Sequence, residues 1–172
     1  MRHFAVALAA TLVALPAFAA PAPLTVALKG SGGEDRGSAT LTEAPGGVLM
    51  RVEVSGLTPG WHGLHFHEKG DCSSADFKSS GGHVHGPAPA VHGLLNPAAS
   101  EAGDLPNLYV GADGVGRAEM FTTQVSLTAA GRLALLDADG SALVVHASPD
   151  DHMSQPIGGA GSRVACGVIK GG

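Results

Sequence analysis

The chain has 172 residues, with ten Lys and Arg against fifteen Asp and Glu and a formal charge of −5, which excludes the basic surface that a nucleic-acid partner requires. Twenty-six glycines, eleven prolines and only 4% aromatic residues describe short strands and turns rather than long helices. The length suits one domain with a real core.

The first residues read as an export signal. Arg2 and His3 precede an apolar run from Phe4 to Ala14, and the stretch closes on Ala17-Phe18-Ala19, the order of a secretory signal peptide with an A-x-A cleavage site. The run is too short to span a bilayer and no second one follows, so no membrane anchor is expected. Cleavage after Ala19 divides the chain into a signal peptide, 1–19, and one domain, 20–172; cutting one residue later would leave Pro21 first. Losing Arg2 leaves nine basic against fifteen acidic residues, a formal charge of −6. Cys72 and Cys166 both lie in the remaining part, and in an oxidising compartment they are expected to form one disulfide. Closing so long a loop contributes about 4–5 kcal/mol in the chain-entropy model.

Strand signals follow in order. Thr25–Lys29 and Ser38–Thr42 alternate, and in Val48–Val54 the residues Val48, Met50, Val52 and Val54 share one face while Arg51 and Glu53 take the other. His65 and His67 form a His-x-His on the next segment; residues i and i+2 of a strand share a face, so both imidazoles can reach one metal while Phe66 points into the core. From Lys69 to Asn107 no strand signal occurs, and a loop of that length in a compact domain is functional or disordered. It holds His83, His85 and His92, with one cysteine and little apolar material, so a disulfide and a metal must supply its order. Gly116–Thr122 and Leu133–Asp137 alternate again, whereas Ala142–Ala147 and Arg163–Ile169 are more continuously apolar, as strands buried on both sides would be. Turn signals at Ala44-Pro45-Gly46-Gly47, Ala112-Asp113-Gly114 and Ala138-Asp139-Gly140 separate the strands, and a second irregular stretch runs from Ser148 to Ser162. The sum is all-β: an antiparallel sandwich or barrel without convincing helices.

Imidazoles at the ends of buried strands, with a histidine-rich loop, suit copper or zinc. A four-nitrogen copper site requires His65, His67, His83 and His146 to converge, which spacing alone does not decide.

The ordered motifs carry a resemblance. Gly60-Trp61-His62-Gly63-Leu64-His65-Phe66-His67-Glu68-Lys69-Gly70-Asp71-Cys72 is similar to the metal-strand signature of copper/zinc superoxide dismutases of the bacterial periplasmic type. Gly81-Gly82-His83, Val91-His92-Gly93, Gly103-Asp104-Leu105-Pro106, Leu143-Val144-Val145-His146 and Gly161-Ser162-Arg163-Val164-Ala165-Cys166-Gly167-Val168-Ile169 follow in that family's order, over roughly residues 24–170. The resemblance implies an immunoglobulin-like Greek-key β-sandwich or flattened barrel, with a metal and disulfide loop at 69–107 and an electrostatic loop at 148–162. It implies dismutation of superoxide to O2 and hydrogen peroxide by alternate reduction and oxidation of a His-bound copper, in the periplasm, with a homodimer common. Position by position, it assigns copper to His65, His67, His83 and His146, with His83 shared between copper and zinc. It assigns His92 and Asp104 to zinc, a Cys72–Cys166 disulfide, Arg163 beside the copper, and Asp150 as the carboxylate linking copper and zinc ligands. His62 matches a structural position, and His152 has no matching role and is expected in solvent.

Two departures stand out. The family's third zinc histidine should lie nine residues after His92, and that residue is Glu101. A carboxylate can bind zinc, so Glu101 is the expected ligand, with His85 or water, or a weak or absent zinc site, as alternatives. The segment 150–163 also lacks the lysine and threonine of the corresponding eukaryotic loop. Superoxide is an anion and the chain is acidic, so local positive charge must reverse the field at short range; Arg163 is one source, with Lys69 and Lys78 as candidates for others. A non-catalytic copper carrier on the same fold is the main alternative, although storage needs no anion-guiding guanidinium.

Overall fold

A computed structural model describes residues 22–128 and 131–171; the expected signal peptide, 1–19, lies outside them. The alternating segments become antiparallel strands: β1 (Leu24–Lys29), β2 (Asp35–Ala44), β3 (Gly47–Val54), β4 (Gly60–His62), β5 (Leu64–His67), β6 (Leu108–Val110), β7 (Gly116–Thr122), β10 (Ser141–His146) and β11 (Arg163–Ile169). They form one sheet in the order β4-β6-β7-β3-β2-β1-β11-β10-β5, and a two-residue parallel pair, β8 (Val125–Ser126) with β9 (Leu133–Ala134), stands apart. The sheet's two outer strands, β4 and β5, are separated in the chain only by Gly63, so it curls into a nearly closed, flattened barrel. Among the described residues the one helical element is a single 3-10 turn, Lys78–Ser80.

The burial pattern follows the period of two. In β3, Val48, Met50, Val52 and Val54 are buried while Arg51 and Glu53 face out. There they pair across strands with Glu119 and Arg117 of β7, exposed contacts that add little stability. The core runs from Val26 and Leu28 through Met50 and Phe66 to Leu143 and Ile169. Phe66 is wholly buried, and truncating it would cost about 3–5 kcal/mol.

All six residues of β10 are buried. Leu143 and Val145 enter the core, while Ala142 and Val144 pack on the other side against Phe77 and the disulfide. That disulfide, Cys72–Cys166, spans 94 residues with Cα atoms 5.9 Å apart and ties the loop 69–107 to β11. Arg163 adds three hydrogen bonds from β11 to the same loop, to the Phe77 carbonyl, the Ser80 hydroxyl and the Gly81 carbonyl. The loop is therefore ordered without a sheet of its own, apart from single bridges of His83 with His67, Asp104 with His65, and His85 with Glu101.

The strand expected over Leu133–Asp137 shrinks to Leu133–Ala134. Beyond it the Leu135 and Leu136 amides bond to the carbonyls of Ser126 and Leu127 without extending the ladder. The short β6 and β8 had no clear sequence signal, because two or three residues cannot display an alternation.

Candidate metal centre

The register of β5 against β10 places His65 opposite Val144 and His67 opposite Ala142, on the face away from Phe66. His146 ends β10 on that side, where its N–H bonds to the Gly63 carbonyl. His83 reaches the group from the long loop through its bridge with His67. All four imidazoles are buried, and one ligand atom from each lies within 4.8 Å of the others.

Each ring is oriented by the nitrogen turned away from the centre. His67 Nδ1–H donates to the Gly81 carbonyl at 3.0 Å, and His146 Nδ1–H to the Gly161 carbonyl at 3.1 Å. His65 Nε2–H donates to Asp150 Oδ2 at 2.8 Å. His83 Nδ1 faces Glu101 Oε2 at 2.7 Å and Asp104 Oδ1 at 2.9 Å. The remaining nitrogens, His65 Nδ1, His67 Nε2, His83 Nε2 and His146 Nε2, are buried without any partner among the described residues. Buried polar atoms are rarely left unpaired, and four imidazole lone pairs facing one point are the donor set that copper takes. The residues present therefore fit the ion.

The electrostatics agree. Burial, then the charge on His65, pushes His146 down to about 3. Burial lowers His67 far below its usual range; it also lowers His65, although the bond to Asp150 opposes this. All three are neutral near pH 7, as ligands must be.

A second cluster forms on the far side of His83. Its Nδ1 and that of His92 both lie within 3.0 Å of Glu101 Oε2 and Asp104 Oδ1. Two imidazoles and two carboxylates make a set acceptable to zinc. Burial would hold His83 neutral, but the hydrogen bonds from Asp104 and Glu101 outweigh it and raise it to about 9.

Asp150 joins the two clusters. Oδ2 accepts from His65 Nε2 at 2.8 Å and Oδ1 from His92 Nε2 at 3.0 Å. Burial would raise its carboxyl, yet those two bonds hold it far below the usual carboxylate range. Gly158 crosses directly over it at φ +59°, where a Cβ would fall 1.6 Å from Asp150 Oδ1; only glycine allows this approach.

The structure brings Glu101 to the second cluster, not His85. His85 Nδ1–H donates to the Gly86 carbonyl at 2.6 Å, and Nε2 stands 3.9 Å from Glu68. His62 is buried with both ring nitrogens on the carbonyls of His146 and Thr58. The expectation for His152 is corrected: it is not free in solvent. Its side chain is only 19% exposed, its N–H bonds to Asp150 Oδ1 at 2.6 Å, and its ring lies 3.4 Å from Asp150 Oδ2. Asn107, which no motif singled out, bonds to both the N–H and the carbonyl of Asp150.

A cavity of about 440 Å³ opens beside His146, lined by Arg163, Lys78, Asp76 and Ile157 among others. Lys78 thus faces the same opening as Arg163, paired with Asp76 at 3.1 Å. Lys69 lies in a separate recess with Glu68, His85, Asp137 and Asp139, so of the two lysines Lys78 is the one that lines the opening beside Arg163.

Comparison with known proteins agrees with this arrangement. The family model described as copper/zinc superoxide dismutase matches residues 35–169. A superoxide dismutase [Cu-Zn] of Caulobacter vibrioides is 63% identical over 147 residues, 85% of this chain and 84% of that one. The crystal structure of a SOD-like protein from Bacillus subtilis superposes with a TM-score of 0.79 at 36% identity, covering 86% of this chain and 99% of that one. The Cu/Zn superoxide dismutase from Brucella abortus gives 0.70 at 31% identity over the same shares.

Proposed function

The chain belongs to the copper/zinc superoxide dismutase family and is an enzyme that dismutes superoxide with copper and zinc; we propose that His65 Nδ1, His67 Nε2, His83 Nε2 and His146 Nε2 hold the copper, and that His83 Nδ1, His92 Nδ1, Asp104 and Glu101 hold the zinc. The observation that carries this reading is the set of four buried, partnerless imidazole nitrogens beside a cavity that bears Arg163. When bound, copper supplies the alternating one-electron reduction and oxidation that turns two superoxide anions and two protons into O2 and hydrogen peroxide.

The residues of the chain bind, orient and deliver protons. Arg163 spends part of its donor fork on Phe77, Ser80 and Gly81, which fixes the guanidinium plane at the cavity. Its charge holds the incoming anion there by a charge-assisted hydrogen bond. Lys78 lines the same cavity, but its charge is offset by Asp76 at 3.1 Å, so Arg163 is the main local attraction for an anion on a chain whose net charge is −5. His83 is the proposed proton donor. When not engaged by the metal, His83 Nε2 would carry a proton with no acceptor among the described residues to compete for it, free to pass to the reduced oxygen. Asp150 holds His65 and His92 in fixed tautomers.

The sequence of residues 1–19 and the disulfide both support export to the periplasm, and the family resemblance supports a homodimer. No helix among the described residues is long and apolar enough to cross a membrane.

The test is to load residues 20–172 with copper and zinc, determine the metal content by mass spectrometry, and assay dismutation. One copper and one zinc per chain with fast turnover is the expected result. Copper and activity without zinc would remove the Glu101 site from the reading. Stoichiometric copper without dismutation would leave a copper carrier.

A further inference from the structure

The loop 148–162 is fastened to the loop 69–107 by two side-chain amides acting in opposite directions. Gln155, in the first loop, accepts the His92 N–H at Oε1 and donates from Nε2 to the His92 carbonyl, both at 2.9 Å. Asn107, at the end of the second, accepts the Asp150 N–H at 2.9 Å and donates to the Asp150 carbonyl at 2.7 Å. Each amide thereby meets both polar groups of one main-chain residue, as a neighbouring strand would. The two residues so gripped are the two that bond to each other, His92 Nε2 and Asp150 Oδ1, at 3.0 Å.

The residues on either side of His92 are tied elsewhere, the Gly93 N–H to Asp104 Oδ2 at 2.7 Å and the Val91 carbonyl to the Ser100 and Glu101 amides, while the His92 main chain itself is gripped by Gln155. His92 is wholly buried, whereas the next residues outward, Leu94 and Leu95, are exposed. Among the described residues the Gln155 amide is the one acceptor for the His92 N–H; the carbonyl receives one further bond, from Asn96 Nδ2 at 3.2 Å. Ring position follows main-chain position, and the His92 Nδ1 must stay within about 3 Å of two carboxylate oxygens.

We propose that Gln155 is a positioning residue for the second metal site, its amide presetting His92 opposite Glu101 and Asp104 before the metal arrives. The inference rests on the reading of His92 as a zinc ligand. It extends that reading by giving Gln155, 63 residues from His92 in sequence, a share in zinc affinity beside that of Asp150 in the same loop.

The test compares Gln155→Leu with the parent. In the metal-free proteins, amide hydrogen exchange of residues 91–95 should quicken in the variant while β10 and β11 keep their protection. Competition with a zinc chelator should show affinity lowered about 10- to 100-fold, the range for partners that orient a ligand. Co²⁺ bound in place of zinc should give altered visible d–d bands, a readout that loss of stability alone does not move. Gln155→Asn, too short to reach, should repeat the effect. Equal zinc affinity and an unchanged cobalt spectrum in Gln155→Leu would overturn the inference and leave the zinc site standing. Loss of β10 and β11 protection as well would also overturn it, making Gln155 a residue of global stability. Failure of the parent itself to bind zinc or cobalt would bring down the zinc reading, and the inference with it.

Discussion

Arg163 and His67 share one acceptor. The Gly81 carbonyl takes the Arg163 Nη2–H at 2.8 Å and the His67 Nδ1–H at 3.0 Å. One loop carbonyl therefore orients both the guanidinium at the cavity and the copper-side imidazole, and the disulfide at Cys72 holds that loop in place. Replacing Arg163 by Ala removes the anion's charged partner and frees this carbonyl. We expect kcat/KM to fall about 10- to 100-fold, equivalent to about 1.5–3 kcal/mol for a charged hydrogen bond, with a weaker dependence on ionic strength. Arg163→Lys should recover the salt dependence but not the full rate, because an ammonium lacks the fork. Stopped-flow dismutation at several salt concentrations checks both.

Asp150 can hold His65 and His92 together only as a carboxylate with two acceptor oxygens. Asp150→Asn keeps the shape and replaces one acceptor by a donor facing an imidazole N–H. Zinc affinity should fall about 10- to 100-fold. Gly158→Ala should have a similar consequence by displacing the carboxylate, since its Cβ would overlap Asp150 Oδ1. Chelator competition on both variants measures the loss; an unchanged affinity would show that the carboxylate linking the clusters is dispensable.

Glu101 contributes one of two negative charges beside His83 and His92. With Glu101→Gln, copper should remain stoichiometric while zinc binding weakens. The pH dependence should shift as well. The metal-free His83 titrates at about 9, held up by Asp104 and Glu101, so zinc uptake displaces a proton at neutral pH and apparent affinity rises with pH toward about 9. Removing one carboxylate lowers the pH at which the rise levels off. Titration calorimetry in buffers of differing ionisation enthalpy counts the protons released.

Stability of the metal-free protein should peak near neutrality. His146 titrates at about 3 when folded, below its ordinary 6.5, and His65 and His67 are lowered too. Their contribution is complete above the ordinary value and is lost as pH falls toward about 3, because the unfolded chain binds protons that the folded chain refuses. His83 has the opposite sign: its contribution is complete below the ordinary value and disappears as pH rises through about 9. Urea midpoints of the metal-free protein from pH 4 to 10 should fall on both sides; a flat acid limb would contradict the neutral state of the copper-side histidines.

Much of this was legible in the chain itself. The alternation in Val48–Val54 and Gly116–Thr122 is a local period, and both strands form with the expected faces. The apolar run ending at His146 announced a strand buried on both sides, which β10 is. Strands of two or three residues were not legible, since β4, β6 and β8 are held by their partners rather than by their own pattern.

The sequence by itself determined the strand periods, the cysteine pair, the histidine inventory and the ordered motifs that mark the family. All of these are written in residue type and spacing along one line. Only the tertiary structure decided which nitrogen of each imidazole is left without a partner, that Glu101 rather than His85 stands beside His92, and that Lys78 rather than Lys69 faces the Arg163 cavity. The same holds for the grip of Asn107 and Gln155 on distant main chain. Those outcomes depend on the path of two long loops, fixed by a disulfide spanning 94 residues and by single hydrogen bonds between remote segments, and such contacts leave no period in the sequence.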